Sequence, residues 1–377
     1  MILSQSCIAW YNNVFKTTKL FKDMEATVEG SPWHRERNVG VHTDMVVGQY
    51  IASLTSPMSE WTPADVLGFF CCVFHDVGKP SAEIQKHSEA RGDYRAYHGH
   101  EQVSARMWED YVCSNADFVK EFEFSDTEIW GISWIIEHHV PWATKDAKKR
   151  MNYAKTVFEI FDCSATKCLA FFNVLMADTY GRISDDADDK IEKSLFWIDE
   201  FFELLVEVNQ NYQTELLRND SYSDTPILYV PIAASGTGKS TYFNTLTEVK
   251  SFSLDDLRLK WYEGNYSECF KQACEDKDFK VKANAVFLGM LVCGDDVFVD
   301  NCNLSTKSRR FYVDEARKKG YRVVAVTFPI SKVELHKRLT NRTDKAIMDN
   351  AGISMSMYDR IQQPSMGEFD FVNICLT

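Results

Sequence analysis

Apolar residues in the first part of the chain recur every three to four positions. HTDMVVGQYIASL, PADVLGFFCCVFHD, EIWGISWIIEHH, CLAFFNVLMADTYG and IEKSLFWIDEFFELLVEV keep that period or are apolar nearly throughout, which predicts an all-helical bundle over residues 1–217. The polar, turn-rich RNDSYSDTP, from Arg218 to Pro226, reads as a linker. Beyond it the period changes. ILYVPI, VFVD and RVVAVTF read as strands and alternate with helical stretches such as KSTYFNTL, STKSRRFYVDEARKKG and SKVELHKRL, the pattern of a parallel sheet covered on both faces across residues 227–377. The expected fold class is α plus α/β, without internal repeats or low-complexity tracts.

Composition narrows the function classes. A chain of 377 residues, 45% hydrophobic and 26% charged, is long enough to bury two cores. Its net charge of -13 argues against coating duplex nucleic acid with a broad basic surface but permits a local basic groove, for which KSRR from Lys307 and KDAKKR from Lys145 are candidates. The eleven cysteines show neither disulfide spacing nor a C-x-x-C pair, so reduced, mostly buried thiols are expected and zinc-finger sites are excluded. No apolar stretch approaches the roughly 20 residues that span a bilayer, and MILSQSCIAWYNNVFKTTKL lacks the features of a signal peptide. A cytoplasmic protein without a membrane partner is expected.

The run ILYVPIAA leads into SGTGKSTYF, completing A-x-x-x-x-G-K-S from Ala233 to Ser240. Between a strand and a helix, Ser235, Gly236, Thr237, Gly238, Lys239, Ser240 and Thr241 form a candidate nucleotide-binding loop. Glycine lets backbone N–H groups turn onto phosphates, Lys239 supplies a point charge, and Ser240 offers a hydroxyl to magnesium. The departure from the usual pattern is Ala233, where glycine is common. Next, SFSLDDLR places Asp255, Asp256 and Arg258 at a strand end, where ligands sit in open parallel sheets. Asp255 is a candidate base for an acceptor hydroxyl and Arg258 a candidate holder of an acceptor phosphate. VFVDNCNL ends in Asp300, Asn301 and Asn303, candidates for orienting Arg258 or the magnesium water shell. HKRLTNR puts Arg338 and Arg342 four residues apart, as a lid over developing charge.

Together these residues resemble the 5′-kinase module of polynucleotide kinases. The resemblance covers about residues 226 to 377 and implies a phosphate-binding loop, Asp255 as general base, Arg258 and Asp300 at the acceptor, and an Arg338/Arg342 lid, with ATP or another nucleoside triphosphate and magnesium as donor.

Eight of the nine histidines precede that module. His42 in VHTDMV, His75-Asp76 in FHDVGKP and Asp178 in MADTYG are polar groups in apolar helical stretches, a costly placement unless they are paired. Convergence on one metal removes the cost, and imidazole with carboxylate suits manganese, zinc, iron, nickel or cobalt. For a second ion, YHGHEQ offers His98 or His100 and IIEHHVPW offers His138 or His139, with His100 and His138 preferred.

This H…HD…H…H…D pattern is similar to the HD phosphohydrolase superfamily, and that resemblance implies Lys79 in HDVGK as a basic residue pointed at the substrate phosphate and Asp76 as a catalytic ligand. WHRERNVGVHTDMV resembles the stretch before the first metal histidine of HD domains fused to polynucleotide kinases, which adds His34 and Glu36 as weaker candidates for substrate contact. The whole chain thus resembles bifunctional HD-type end-healing enzymes. Such a fold is a helical HD bundle followed by a P-loop kinase. The implied activities are metal-dependent removal of a 3′-phosphate, 2′-phosphate or 2′,3′-cyclic phosphate and phosphorylation of 5′-OH ends. The implied partners are single-stranded or nicked RNA, or DNA, and a separate RNA ligase. Two other readings remain: an HD nucleotide phosphohydrolase joined to a small-molecule kinase, and a nucleotide-gated regulatory protein.

Overall fold

The computed structural model describes residues 3–29, 34–54, 61–88, 92–140, 142–164, 167–184, 187–216, 225–341 and 351–375. The chain divides into two compact units, Met1–Arg218 and Asn219–Thr377. Most of the expected linker falls outside the described residues. Among the described residues no helix is long and apolar enough to cross a membrane. All eleven cysteines are free.

The first unit is built mainly of helices around an aromatic core. Its central helix, Pro63–Phe74, begins on a capping box in which Thr62 and Asp65 satisfy each other's backbone N–H groups. Every residue from Val66 to Phe74 is buried, which explains why VLGFFCCVF carries no polar face. Phe69, Phe70, Phe74, Trp108 and Trp134 are each fully buried. The indole of Trp108 donates to the Ile129 carbonyl at 2.9 Å, so a large apolar body is buried without an orphaned N–H. Burial pushes the Cys71 and Cys72 thiols well above their ordinary range, which leaves them unreactive.

The expectation of an all-helical unit needs one correction. A hairpin, β1 (Ile84–Ser88) against β2 (Gly92–Ala96), pairs antiparallel with Ile84 opposite Ala96. IQKHS has no apolar face to mark it, since even Ile84 is 48% exposed, and the pairing rests on backbone hydrogen bonds that periodicity does not register.

His75 and Asp76 also lie just beyond the apolar helix, in the turn that leads into the short helix Lys79–Ala82. That turn is pressed against the helix His100–Ser114. Gly78 N donates to Ser104 Oγ at 2.9 Å, and a Cβ on Gly78 would stand 2.6 Å from both the His100 carbonyl oxygen and Ser104 N. Only glycine allows this approach.

The second unit holds a five-stranded parallel sheet. Its strands are β3 (Ile227–Ile232), β4 (Lys250–Phe252), β5 (Val297–Val299), β6 (Arg322–Thr327) and β7 (Phe371–Ile374), in the order β4-β5-β3-β6-β7. Leu228 pairs with Val297 on one side and with Val323 on the other, which makes β3 the central strand. Leu228, Val230, Val297, Val299, Val323 and Ala325 are buried, as a two-sided parallel sheet requires. The chain leaves β3 toward β4 on one side and later reaches β6 on the other. The carboxyl end of β3 is therefore a topological switch point, where such sheets form a crevice. Two helices, Tyr266–Glu275 and Phe279–Cys293, and the edge strand β7 add to the elements the sequence pattern marks.

Arg309, within KSRR, is not a surface group. It is fully buried, bonded to both Glu368 oxygens and to the carbonyls of Asn303, Gln362 and Gln363. Lys307 and Arg310 on the same helix are exposed.

The close packing at Gly78 is directly testable. Gly78→Ala should destabilise the first unit by about 1–3 kcal/mol through overpacking. A lowered denaturant midpoint with an unchanged slope would register it.

Candidate functional site: a buried histidine–aspartate centre and a glycine-lined cleft

Asp76 is the hub of the first site. Its Oδ2 lies 3.1 Å from His75 Nε2, 3.4 Å from His42 Nε2 and 2.8 Å from Lys79 Nζ. Its Oδ1 lies 3.0 Å from His100 Nε2 and 3.9 Å from His139 Nε2. Asp178 Oδ1 closes the first group at 3.2 Å from His42 Nε2 and 3.8 Å from His75 Nε2. The helices Val39–Ser53 and Leu169–Tyr180 bring His42 and Asp178 to the turn that carries His75 and Asp76.

Each imidazole is fixed from behind. Nδ1 of His42 faces the Gly181 carbonyl at 3.1 Å, and Nδ1 of His75 faces that of Cys72 at 2.8 Å. Nδ1 of His100 and of His139 face the carbonyls of Tyr97 and Ile136, both at 2.7 Å. A carbonyl accepts only from N–H, so each neutral ring carries its proton on Nδ1 and turns an Nε2 lone pair inward. Metal-ligating histidines are typically held this way. Asp178 is braced similarly, with Arg182 Nη2 on its Oδ2 at 2.5 Å while Oδ1 is left for the cluster.

The donor set fits a transition-metal ion. His42 Nε2 and His75 Nε2 face each other at 3.3 Å, a repulsive arrangement for two lone pairs unless a cation lies between them. Ligands about 2.1 Å from one ion sit roughly 3.0–3.4 Å apart; the His42, His75 and Asp76 atoms keep that spacing, and Asp178 Oδ1 meets it toward His42 but stands 3.8 Å from His75 Nε2. His100 Nε2 and Asp76 Oδ1, though 3.0 Å apart, are both buried without a hydrogen bond. Three compatible donor groups result among the described residues: His42, His75 and Asp76; Asp76, His100 and His139; and His34, Glu36 and His42. Asp76 belongs to the first two.

Electrostatics point the same way. Burial opposes ionisation of Asp76, but His75, Lys79 and His100 outweigh it and hold the carboxyl well below its usual range. For Asp178 burial is likewise overcome, by Arg182 and His42. Burial, reinforced by His75 and His100, drops His139 to about 3, so its lone pair stays available. For His42, burial is overruled by Asp178 and Glu36, which lift it to about 9. Without another cation, a proton on His42 serves the two ionised aspartates.

Several sequence expectations change here. His138, preferred for the second ion, turns away: its ring stacks on Trp134 at 4.2 Å and its Nδ1 faces the Trp134 carbonyl. His139 occupies the cluster instead. His98 is exposed beside Lys86. Lys79 is buried between Asp76 and Glu29, the latter at 2.7 Å, so its charge is matched by two carboxylates rather than turned to an open space. Glu36 accepts from Ile183 N at 2.7 Å and lies 3.5 Å from His42 Nδ1 and 3.4 Å from His34 Nδ1, a bracing position behind His42. Glu29 and Arg182 escaped the sequence reading. Arg182, four residues after Asp178 and just past the helix end, was visible as an i,i+4 pair; Glu29 carried no such signal.

In the second unit, the loop after β3 opens onto a cleft of about 730 Å³ lined by Ser235, Gly236, Gly238, Lys239, Ser240, Thr241, Asp300, Glu334, Lys337, Arg338 and Asn341. Gly236 and Gly238 have φ of 91° and 116°, open to glycine but strained for other residues. Ala233 has no positive φ, and its N–H donates to the Cys302 carbonyl, so alanine fits there. Thr237 is buried with its hydroxyl on the Ala234 carbonyl at 3.0 Å, outside the cleft lining.

Asp300 is raised by burial, opposed by Lys239 and reinforced by Asp256 and Asp255, which places these four charges in one field. Asp255 is exposed in the first turn of the helix Leu254–Trp261 and pairs with Arg258 Nη1 and, at 3.0 Å, with the Tyr266 hydroxyl. Arg338 donates to Glu334 at 2.8 Å, and Arg342 lies outside the described residues. Asn303 is a correction. Its Nδ2 donates to the carbonyls of Pro231, Val299 and Asn301, so the buried side chain ties β3 to β5 and is not presented to an acceptor. The Glu334 and Lys337 lining was not foreseen.

The chain matches no protein-family model and no curated protein.

Metal content separates the adjacent histidines. In elemental analysis of the purified protein, His139→Ala should lower bound transition metal, whereas His138→Ala should keep it and lower the melting temperature through the lost ring stack. Arg182→Ala, which frees Asp178, should weaken metal affinity roughly 10–100-fold.

Proposed function

We propose that the chain is a bifunctional nucleic-acid end-healing enzyme, an HD-type phosphohydrolase joined to a P-loop polynucleotide 5′-kinase. The observation that carries this reading is the convergence of His42, His75, Asp76 and Asp178, with their Nε2 and Oδ atoms 3.1 to 3.8 Å apart, in a unit separate from the one that bears the glycine-lined cleft. Two sites of different chemistry suit two reactions at the two ends of a break.

In the first unit His42, His75 and Asp76 would hold one ion, with Asp178 beside the two imidazoles as a further ligand, and Asp76, His100 and His139 would offer a second position. A transition metal bound there supplies a nucleophile from water near neutral pH and polarises a phosphate ester. The protein's part is orientation. Nδ1–carbonyl bonds fix the imidazoles, Arg182 fixes Asp178, and Lys79 with Glu29 fixes Asp76. Asp178 and His100 keep side-chain exposures of 14% and 11%, and a phosphorylated end would approach the ions beside them.

In the second unit the loop Ser235–Thr241 and Lys239 would cradle the phosphates of a nucleoside triphosphate, and Ser240 would meet its magnesium. Asp255 would accept the proton of the incoming 5′-hydroxyl, and Arg258, beside it, would hold the acceptor. Arg338, on the cleft wall, would meet charge that develops on the transferred group.

The two halves should fail independently. Lys239→Ala or Asp255→Ala should abolish 5′ labelling of an oligonucleotide with ATP while leaving phosphate release from a 3′-phosphate or cyclic-phosphate end intact. His75→Ala or Asp76→Ala should do the reverse. Labelling that survives loss of Asp255, or phosphate release that survives loss of Asp76, would refute the corresponding assignment. Arg338→Ala should lower turnover more than it weakens ATP binding, since its partner charge grows in the transition state.

A further inference from the structure

Two exposed aromatic rings stand beside Asp255. The helix Tyr266–Glu275 starts on an Asn265–Glu268 capping box and buries Cys269 and Ala273. Its other side carries Tyr266 and Phe270, four residues apart, 39% and 43% exposed, with ring centroids 6.3 Å apart and planes 32° from each other. Core packing does not account for this placement. Both rings are tied to the charged groups next to them. The Tyr266 hydroxyl donates to Asp255 Oδ1 at 3.0 Å, and the Arg258 guanidinium lies 4.8 Å from the Phe270 centroid while pairing with Asp255 through Nη1. The Nε of Arg258 is buried without a hydrogen-bond partner.

We infer that Tyr266 and Phe270 form a stacking shelf for the nucleobase of the nucleotide whose 5′-hydroxyl meets Asp255, an inference that rests on the kinase reading of that site. A flat aromatic face accepts any base, since each has a π-face, and aromatic rings beside a cation are how single strands are held without sequence preference. Arg258 on one side of Phe270 supplies the cation. The Tyr266 hydroxyl ties the shelf to the carboxylate, so a base resting there is held at a fixed offset from the proton acceptor, and Tyr266 acts as a positioning residue. The acceptor class that follows is a single-stranded 5′-OH end with an intact terminal base.

The test is fluorescence anisotropy with the full chain, without nucleoside triphosphate, using a labelled 5′-OH oligonucleotide whose terminal base is present or absent. Wild type should bind the intact end roughly tenfold more tightly, the size of one base–aromatic stack. In Phe270→Ala the two ends should bind alike, and Phe270→Trp should restore the preference. Equal binding of both ends by wild type, or a preference undiminished in Phe270→Ala, overturns the shelf. Because the readout is binding, its failure is distinct from that of the kinase reading. A base preference without phosphorylation by ATP would refute the kinase and keep the shelf, and phosphorylation without a base preference would do the opposite.

Discussion

Two ionised aspartates, Asp76 buried and Asp178 largely so, govern the first unit. Asp76 and Asp178 are held as carboxylates where desolvation favours the neutral acid, and this requires positive charge within a few ångström. Lys79 and Arg182 supply it from the periphery, with imidazole between. The surrounding architecture serves that need. Carbonyls at helix ends and turns hold the imidazole tautomers, Gly78 lets the His75–Asp76 turn sit against the helix that carries His100, and Glu36 braces His42 from behind. The His42 and His75 nitrogens, facing one another across 3.3 Å, can share either a proton on His42 or a metal ion between them.

The second unit meets the opposite demand with backbone rather than burial. A central strand ends at a loop whose two positive-φ glycines keep side chains out of the way, and a Cβ on Gly236 would come within 2.9 Å of Leu339. The loop is thus shaped in part by the helix Lys332–Thr340 packed behind it. Asn303 fastens β3 to β5 beneath the cleft, at φ 48°, and Arg309 locks the following helix to the Glu368 segment. Such buried polar groups leave the rim free for Lys239, Asp300 and Arg338.

Much of this was legible in the chain. Helices and strands followed apolar periods because burial of one face or of both faces leaves that imprint. His42, His75, Asp76 and Asp178 stood out as polar groups inside or beside apolar runs, where water cannot compensate them. The hairpin Ile84–Ser88/Gly92–Ala96 left no imprint because exposed strands need no apolar alternation. Arg309 read as part of a basic surface run although it is fully buried, since a charge's burial depends on a partner 59 residues away.

Residue type and spacing determined which groups had to be paired and that a mainly helical half precedes one built on a parallel sheet. The fold decided which member of each ambiguous pair does the pairing. His138 and His139 are chemically identical neighbours, but one step along a helix rotates a side chain by about 100°, and contact with Trp134 claims one ring while the other faces Asp76. Asn303 likewise has the same amide at any surface or core position, and only the approach of three backbone carbonyls makes it a strut. Composition and order set the inventory of donors and charges. Direction is a property of the packed side chain, and it arises only when distant segments meet.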